Sequence, residues 1–185
     1  TVLLNQALMN ASRLDELDNH LDQLIMFSEM GFVEAGATLG LVLLSNNDPQ
    51  ELDDAINLFR VNADSVGLNA ATHSWLKALL SQPLTSDYLK SFWQTLPQEY
   101  HQQWYQSIHH YNTHHSKVTT HIQVKLAQFL AQLGEAGFHR AKLDYADLLL
   151  KGRWGQKQDI SAGLAMVEGL ANDGYARAQL VFGVF

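Results

Sequence analysis

Apolar residues recur at intervals of three and four along most of the chain, the period of one face of an α-helix. Leu14, Leu17, Leu21 and Leu24 follow this spacing with acidic residues between them, and they predict an amphipathic helix over 5–30. The same pattern predicts helices over 32–45, 49–64, 69–81, 86–96, 118–133, 138–151, 160–172 and 174–185, and another that carries Tyr100, Trp104, Tyr105 and Ile108. No alternation of apolar and polar residues is long enough to predict a strand, so the expected fold class is all-α.

Four glycines open segments that resemble one another. Gly31, Gly137 and Gly174 are each followed at once by an aromatic residue and, four positions on, by alanine, and Gly67 opens a looser copy with the same alanine. The intervals between them are 36, 70 and 37 residues. A period of about 35 residues is typical of helix-turn-helix arrays, and the doubled interval predicts one eroded unit in the middle. We expect Gly31 to take a positive φ and Gly67 to end its helix.

The stretch 84–133 keeps the helical spacing but loses the repeat pattern. We therefore predict a single helical-repeat domain over 1–185, with N-terminal repeats over 1–83, a degenerate middle repeat over 84–133 and C-terminal repeats over 134–185 whose last unit is incomplete. That last unit ends on an apolar segment containing Phe182 and Phe185. Either the chain is cut from a longer protein, or this apolar end covers itself by self-association or against a partner.

These segments resemble the Sel-one-like repeat family, a relative of the tetratricopeptide repeats, over about two-thirds of the chain. The first matching unit carries Gly31, Ala35, Leu39, Gly40, Leu43 and Asn46, followed by Ala55, Phe59 and Ala63. A second unit carries Gly137, Ala141, Tyr145, Ala146, Gly152, Gly155 and Asp159, and a third begins with Gly174, Ala178, Gln179, Phe182 and Gly183. The resemblance implies a right-handed α-solenoid of antiparallel helix pairs. It also implies a scaffold or adaptor role, often bacterial and envelope-associated or signalling.

The resemblance further implies a concave surface lined by the first helix of each pair. The positions one before the consensus alanine, and two and six after it, would face this surface. They are Glu34, Ala37 and Leu41, then Ala70, His73 and Lys77, then Arg140, Leu143 and Asp147, and finally Arg177, Leu180 and Val184. The alternative is that these side chains are exposed without binding anything. Ala141 is expected to pack closely against its partner helix.

The net charge of −7 argues against nucleic acid as a partner, because phosphate binding needs a basic surface. Residues 1–60 hold ten acids and two bases, a net charge of −8, whereas the remainder has a net charge of +1. The acidic part is either a solvated face or an end that steers a basic partner. The longest apolar run, from Leu39 to Leu44, is too short to span a membrane. The chain has no cysteine, and no signal peptide is visible in it. It starts at Thr1 without Met, as a processed or excised form would, so the compartment stays open between cytoplasm and bacterial envelope.

Six of the nine histidines lie between His101 and His121, and the tract 109–116 is predicted to be a polar loop or a frayed helix end. His110 and His114 are four residues apart, so one helix face could present both to a metal ion. The alternative is a solvated segment without a metal, and a response to pH is also open. The nearby aromatics Trp93, Tyr100, Trp104, Tyr105 and Tyr111 either pack in the core or form a stack for a ligand.

No phosphate-binding glycine loop, serine nucleophile elbow or pair of catalytic carboxylates is apparent, so neither an enzyme activity nor a cofactor is predicted. The expected function is a non-enzymatic scaffold or adaptor that binds a protein partner whose identity the sequence does not give. The alternative is a histidine-rich binding module that responds to metal or pH.

Overall fold

The computed structural model describes residues 14–46, 48–81, 86–115 and 118–183, which contain ten α-helices joined by turns and no strand. The helices are α1 Leu14–Glu29, α2 Val33–Ser45, α3 Pro49–Val66, α4 Leu68–Ser81, α5 Ser86–Thr95, α6 Gln98–His114, α7 Thr120–Glu135, α8 His139–Lys151, α9 Ile160–Asn172 and α10 Ala176–Phe182. The all-α prediction is therefore confirmed for the described chain.

The helices form two compact units, Thr1–Leu96 and Pro97–Phe185. In the first unit, α1 packs against α2, α2 packs against both α3 and α4, α3 packs against α4, and α5 contacts α2 and α3. In the second unit, each helix from α6 to α10 packs against the next one along the chain. The division falls inside the stretch 84–133, where the repeat pattern is weakest.

Three of the four repeat glycines form the same turn. Gly31, Gly137 and Gly174 have φ values of 84°, 99° and 84°. The aromatic residue that follows each glycine donates its backbone N–H to the carbonyl oxygen five residues earlier, over 3.0, 3.1 and 2.9 Å. This is the Schellman arrangement, which ends a helix and satisfies its last carbonyl groups. The positive φ expected at Gly31 is confirmed, and glycine suits it because a side chain there would be strained.

The fourth glycine, Gly67, differs in detail. Its φ of 86° is similar and its N–H donates to the carbonyl of Ala63, as expected for a helix-ending glycine, but its ψ is 147° and α4 begins at the next residue. The alanine four positions after each of the four glycines is nevertheless buried. The repeat pattern in the sequence thus corresponds to a repeated position in the packing, in both units.

Large aromatic side chains fill the core of the first unit. Phe59 of α3, Trp75 of α4 and Phe92 of α5 are fully buried. The ring centroids of Phe59 and Trp75 are 5.4 Å apart at 82°, and those of Trp75 and Phe92 are 6.3 Å apart at 11°. Such edge-on and stacked contacts add to the free energy of burial. One row of rings therefore links three of the unit's helices.

In the second unit, small residues let neighbouring helices approach closely. A Cβ atom on Gly134 of α7 would lie 2.8 Å from the backbone of Lys142 in α8, and one on Gly163 of α9 would lie 2.7 Å from the Leu150 side chain. Ala141, expected to pack closely against its partner helix, is fully buried in α8. Glycine at these contacts is required by distance rather than by φ.

Of the two predictions for the tract 109–116, the loop is wrong for most of it, because α6 continues to His114, and a helix end within the tract agrees with the structure. Trp104, Ile108 and Tyr111, spaced by four and three residues, are buried along one side of this helix. This apolar stripe packs the segment against its unit. The histidines between the stripe residues make the segment polar in composition, as a loop would be. The core interpretation of the aromatics is confirmed for Trp93, Trp104, Tyr105 and Tyr111, which are all buried.

Candidate functional site

The positions predicted to face a partner in the first unit differ in accessibility. Glu34 and Lys77 are exposed and His73 is half-buried. Leu41, in contrast, is only 5% exposed and belongs to the core. A buried leucine cannot contact a partner, so Leu41 is corrected from a surface residue to a packing residue. Ala37, the predicted surface position one helical turn before Leu41, is buried as well.

The positions predicted in the second unit also separate into two groups. Arg177 is exposed, and Asp147 forms an i,i+4 ion pair with Lys151. Leu143 packs against the buried cluster of Ala146, Val167, Leu170 and Ala178, which makes it mainly a structural residue. Arg140 is half-buried, and its guanidinium carbon lies 4.8 Å from the centroid of the Tyr105 ring. Val184 lies outside the described residues.

A tyrosine–histidine–aspartate cluster, formed by Tyr105, His109 and Asp144, joins α6 to α8. The phenolic O–H of Tyr105 donates to Oδ2 of Asp144 over 2.5 Å. Nε2 of His109 lies 3.1 Å from the same oxygen. Tyr105 and His109 are one turn apart on α6, and their rings are tilted against each other with centroids 4.6 Å apart. One carboxylate oxygen therefore accepts a hydrogen bond from Tyr105 and lies beside the imidazole of His109.

Aromatic and cationic groups surround this cluster. Phe138 places its ring 5.5 Å from that of Tyr105, and Trp154 places its ring 5.5 Å from that of His109. Trp154 lies in the turn between α8 and α9, and it is the one non-glycine residue with a positive φ, 52°, in the described chain. A large side chain at such a φ is unusual and is held there by its surroundings.

The environment shifts the pKa values of two of the three cluster residues in opposite directions. Burial, together with the hydrogen bond to Asp144, raises the pKa of Tyr105 from 10.0 to about 12. Burial alone would raise the pKa of Asp144, but contacts with His109 and Tyr105 and the positive charge of Arg140 outweigh it and lower that pKa. At neutral pH the cluster therefore contains a carboxylate and a protonated phenol, which suits a stable donor–acceptor contact.

This arrangement places an imidazole beside an ionised carboxylate. Such pairs serve both as structural links and as sites where a histidine is held ready for a ligand or proton. About a third of each side chain in the His109–Asp144 pair is accessible to solvent. The pair can therefore respond to solution conditions while it connects two helices.

Sequence reasoning missed this cluster. The interval between Tyr105 and His109 is a helical spacing, which was available, but no local pattern connects His109 to Asp144, 35 residues later. The signal that could have been used is Asp144, an acid in the first helix of the repeat at Gly137, together with the histidine-rich helix α6. The sequence predicts Arg140 as a partner-binding residue, whereas the structure places its guanidinium over the Tyr105 ring.

The two weak metal candidates lie together on the exposed side of α6. The rings of His110 and His114 are stacked, with centroids 4.2 Å apart and planes at 13°. His114 Nδ1 lies 2.7 Å from Oγ1 of Thr113. Across the described residues, no group of three histidine, cysteine or acidic side chains is placed to hold a metal ion. The stacked pair supplies two potential ligands at most.

Comparisons with known proteins do not identify a family. No family model matches the chain, and no curated protein or solved structure matches it. The resemblance to Sel-one-like repeats therefore remains a prediction that rests on the residues quoted for it. In the parts of the chain that the structure covers, no helix is long and apolar enough to cross a membrane.

Proposed function

We propose that this protein is a non-enzymatic helical-repeat scaffold that binds another protein. Its helix pairs would stack as an antiparallel, right-handed solenoid of the Sel-one-like type. Repeat arrays of this kind present extended surfaces whose composition changes from unit to unit while the packing residues stay the same. The partner is expected to be a protein rather than a nucleic acid, because the chain carries a net charge of −7.

The observation that carries this proposal is the repeated turn at Gly31, Gly137 and Gly174. The three turns share the positive φ, the hydrogen bond from the following aromatic residue and the buried alanine four positions on. Such recurrence supports a repeat protein, since unrelated helix ends would not be expected to share both the turn and the packing residue. Binding is the usual role of a repeat surface, which makes this step an argument from architecture.

The exposed members of the predicted partner surface are Glu34, Lys77 and Arg177. Charged side chains at the rim of an interface control specificity and association rate, and their reversal rarely affects folding. Lys77 and Arg177 are therefore the sharpest probes. Arg140 is less suitable, because a charge reversal there would also remove its contact with Tyr105.

The test begins with affinity capture from the source cell and mass spectrometry, followed by measurement of the affinity for the captured protein. The double variant Lys77→Glu, Arg177→Glu should bind about tenfold more weakly, a change of about 1.4 kcal/mol. The matched control is Arg153→Glu, Lys157→Glu, which reverses two exposed charges in the turn after α8. Equal weakening in both double variants would attribute the effect to net charge and contradict the surface assignment. Failure to capture any partner specifically would contradict the proposed function.

A second candidate function is a histidine-rich module that responds to metal or pH. The stacked His110–His114 pair and the contact between His109 and Asp144 favour it. Zinc or nickel should then raise the melting temperature, because a ligand that binds the folded state stabilises it. The rise should disappear in His110→Ala, His114→Ala and persist in a His139→Ala control, which changes an exposed histidine on α8. No metal effect on melting would favour the scaffold function instead.

A further inference from the structure

The side of α1 that faces away from the core carries large apolar side chains. Ile25, Met26 and Met30 are 39%, 48% and 64% exposed, whereas Leu24 and Ser28 on the other side are buried. Leu24 belongs to the buried cluster that joins α1 to α2. The exposed apolar residues are therefore in excess of what α1 needs for packing within its unit.

These residues form one continuous stripe with two acids. Asp22, Ile25, Met26 and Glu29 are spaced by three, one and three residues and are all exposed, and Met30 follows directly at the helix end. Asp22 is three and four residues from Ile25 and Met26, which are four and three residues from Glu29, and side chains at these intervals are neighbours on a helix surface. We name these five residues the acidic–apolar face. Two or three apolar anchors at i, i+3 or i+4 and further intervals are also the pattern by which helices dock onto one another.

The charge of α1 restricts what could cover this face. The helix contains Asp15, Glu16, Asp18, Asp22 and Glu29 and neither lysine nor arginine. The carboxylates of Asp22 and Glu29, beside an apolar stripe, repel acidic surfaces and attract basic ones. A second copy of α1 would bring like charges together, and an anionic membrane or nucleic acid would be repelled in the same way.

We propose that the acidic–apolar face binds a basic amphipathic helix of a partner protein. Leucine-like side chains of that helix would contact Ile25, Met26 and Met30, and its lysine or arginine residues would pair with Asp22 and Glu29. Methionine is suited to this role because its unbranched, polarisable side chain adapts to different apolar shapes. This inference rests on the proposed scaffold function and adds a second binding surface, on α1, together with the chemical class of the partner that this surface receives.

The turn after α1 exposes a further aromatic side chain. Phe32 is 42% exposed, and its ring meets that of Phe27 edge-on with centroids 5.6 Å apart. The Phe32 N–H donates to the Phe27 carbonyl, which closes the turn. Phe27 packs against the buried cluster of Leu24 and Ala35, so we do not include Phe32 in the acidic–apolar face.

The test uses the full chain and a fluorescent, designed peptide in which leucine and lysine follow helical spacing. Its first comparison peptide has the same composition in scrambled order, and its second has glutamate in place of lysine. The helical basic peptide should bind, the scrambled peptide should bind at least about tenfold more weakly, and the acidic peptide should not bind. Equal binding of the basic and scrambled peptides would overturn the proposal, because it would show attraction by charge alone.

Two variants of the face then locate the binding. Met26→Ser, Met30→Ser should weaken peptide binding about tenfold, whereas the matched control Ile160→Ser, Val181→Ser, which changes two exposed apolar residues of the second unit, should leave binding unchanged. Asp22→Asn, Glu29→Gln should weaken binding and reduce its dependence on salt. Circular dichroism melting would show that each variant is folded. Unchanged binding in both face variants, or equal loss in the control, would overturn the assignment.

Light scattering tests whether a second copy of the chain, and not a partner helix, covers the acidic–apolar face. If the wild-type chain is a dimer that becomes a monomer in Met26→Ser, Met30→Ser, the face contacts a second copy and the basic-helix proposal is wrong. If the peptide does not bind but reversal of Lys77 and Arg177 still weakens the captured partner, this inference fails and the scaffold function stands. A monomer that binds the helical basic peptide through this face is the result we expect.

Discussion

The indole ring of Trp75 lies directly against Gly40, at the contact between α4 and α2. A Cβ atom on Gly40 would lie 2.0 Å from Cη2 of the ring and 2.6 Å from Cζ3. Trp75 is fully buried and is held by Phe59 on one side and Phe92 on the other. The ring therefore cannot move away easily, and glycine at position 40 is the condition for this helix contact.

We expect Gly40→Ala to destabilise the protein by about 1–3 kcal/mol, because the added methyl group overpacks a core that has no room to relax. The matched control is Gly169→Ala in α9, where a Cβ atom would meet nothing within 4 Å. There, alanine should be neutral or stabilising by up to about 1 kcal/mol, since it favours the helix. Urea denaturation of both variants measures the difference. Equal effects would show that helix propensity, and not contact with Trp75, governs position 40.

The same indole depends on a second residue. Its Nε1–H donates to Oδ1 of Asn62, a buried side chain of α3, over 3.0 Å. Asn62→Ala should destabilise by about 1–3 kcal/mol, because the N–H group would stay buried without an acceptor. Asn57→Ala, on the exposed side of the same helix, should change stability by less than about 0.5 kcal/mol. A loss at Asn62 no larger than that at Asn57 would contradict the role assigned to the hydrogen bond.

The helices and the repeat could be predicted because both depend on short-range patterns. The spacing of apolar residues determines where α2, α3 and α9 lie, and a glycine followed by an aromatic residue and alanine specifies the Schellman turn. The sequence pattern could not identify Trp75 as the residue that packs against Gly40, because it follows 35 positions later and no local spacing connects the two.

The candidate site was less accessible to such reasoning. The prediction for α6 failed where polar residues dominate the composition, although Ile108 and Tyr111 continue the buried stripe. Leu41 was assigned to the surface from a register carried over from the family, and its burial shows that this register does not describe α2 fully. The Tyr105–His109–Asp144 cluster depends on packing between helices, which single-sequence patterns do not specify.

The backbone of Trp154 offers a test of local strain. Its φ of 52° lies in the left-handed region, where a side chain has a cost that glycine avoids. Trp154→Ala and Trp154→Gly both remove the ring contact with His109, so the comparison between them isolates the backbone. Glycine should be the more stable of the two by about 1 kcal/mol. At the neighbouring Arg153, the alanine variant should instead be more stable than the glycine variant. The same order at both positions would show that Trp154 is not strained.

The phenol of Tyr105 predicts a loss of stability at alkaline pH. Because its pKa rises from 10.0 to about 12 on folding, its contribution is complete below pH 10 and is lost as the pH rises towards 12. Tyr105→Phe cannot ionise at this position. The difference in unfolding free energy between wild type and variant should therefore shrink across this window. Tyr175→Phe, which changes a half-buried tyrosine outside the cluster, serves as the control. A constant difference for Tyr105→Phe would contradict the raised pKa.

Asp144 predicts a loss of stability at acidic pH. The pKa of its carboxyl group lies below the ordinary value of 3.8 in the folded protein, so folding favours the ionised form. Its contribution to stability is therefore present above that value and is lost as the pH falls through the lower folded pKa. In Asp144→Asn the side chain still accepts from Tyr105 but cannot ionise. The stability advantage of wild type over this variant should be largest near neutral pH and should decline below about pH 4.

The control for Asp144 is Asp147→Asn on the same helix, where the carboxylate pairs with Lys151 at the surface. An i,i+4 pair of this kind contributes only about 0.3–0.5 kcal/mol, so its removal should give a small change. Urea denaturation of the three proteins at a series of pH values measures both effects. If the Asp144→Asn difference does not vary with pH, or if Asp147→Asn gives the same curve, the cluster does not hold its carboxylate in the ionised form. A decline specific to Asp144 would show that the contacts with Tyr105, His109 and Arg140 stabilise the folded protein through the ionised carboxylate.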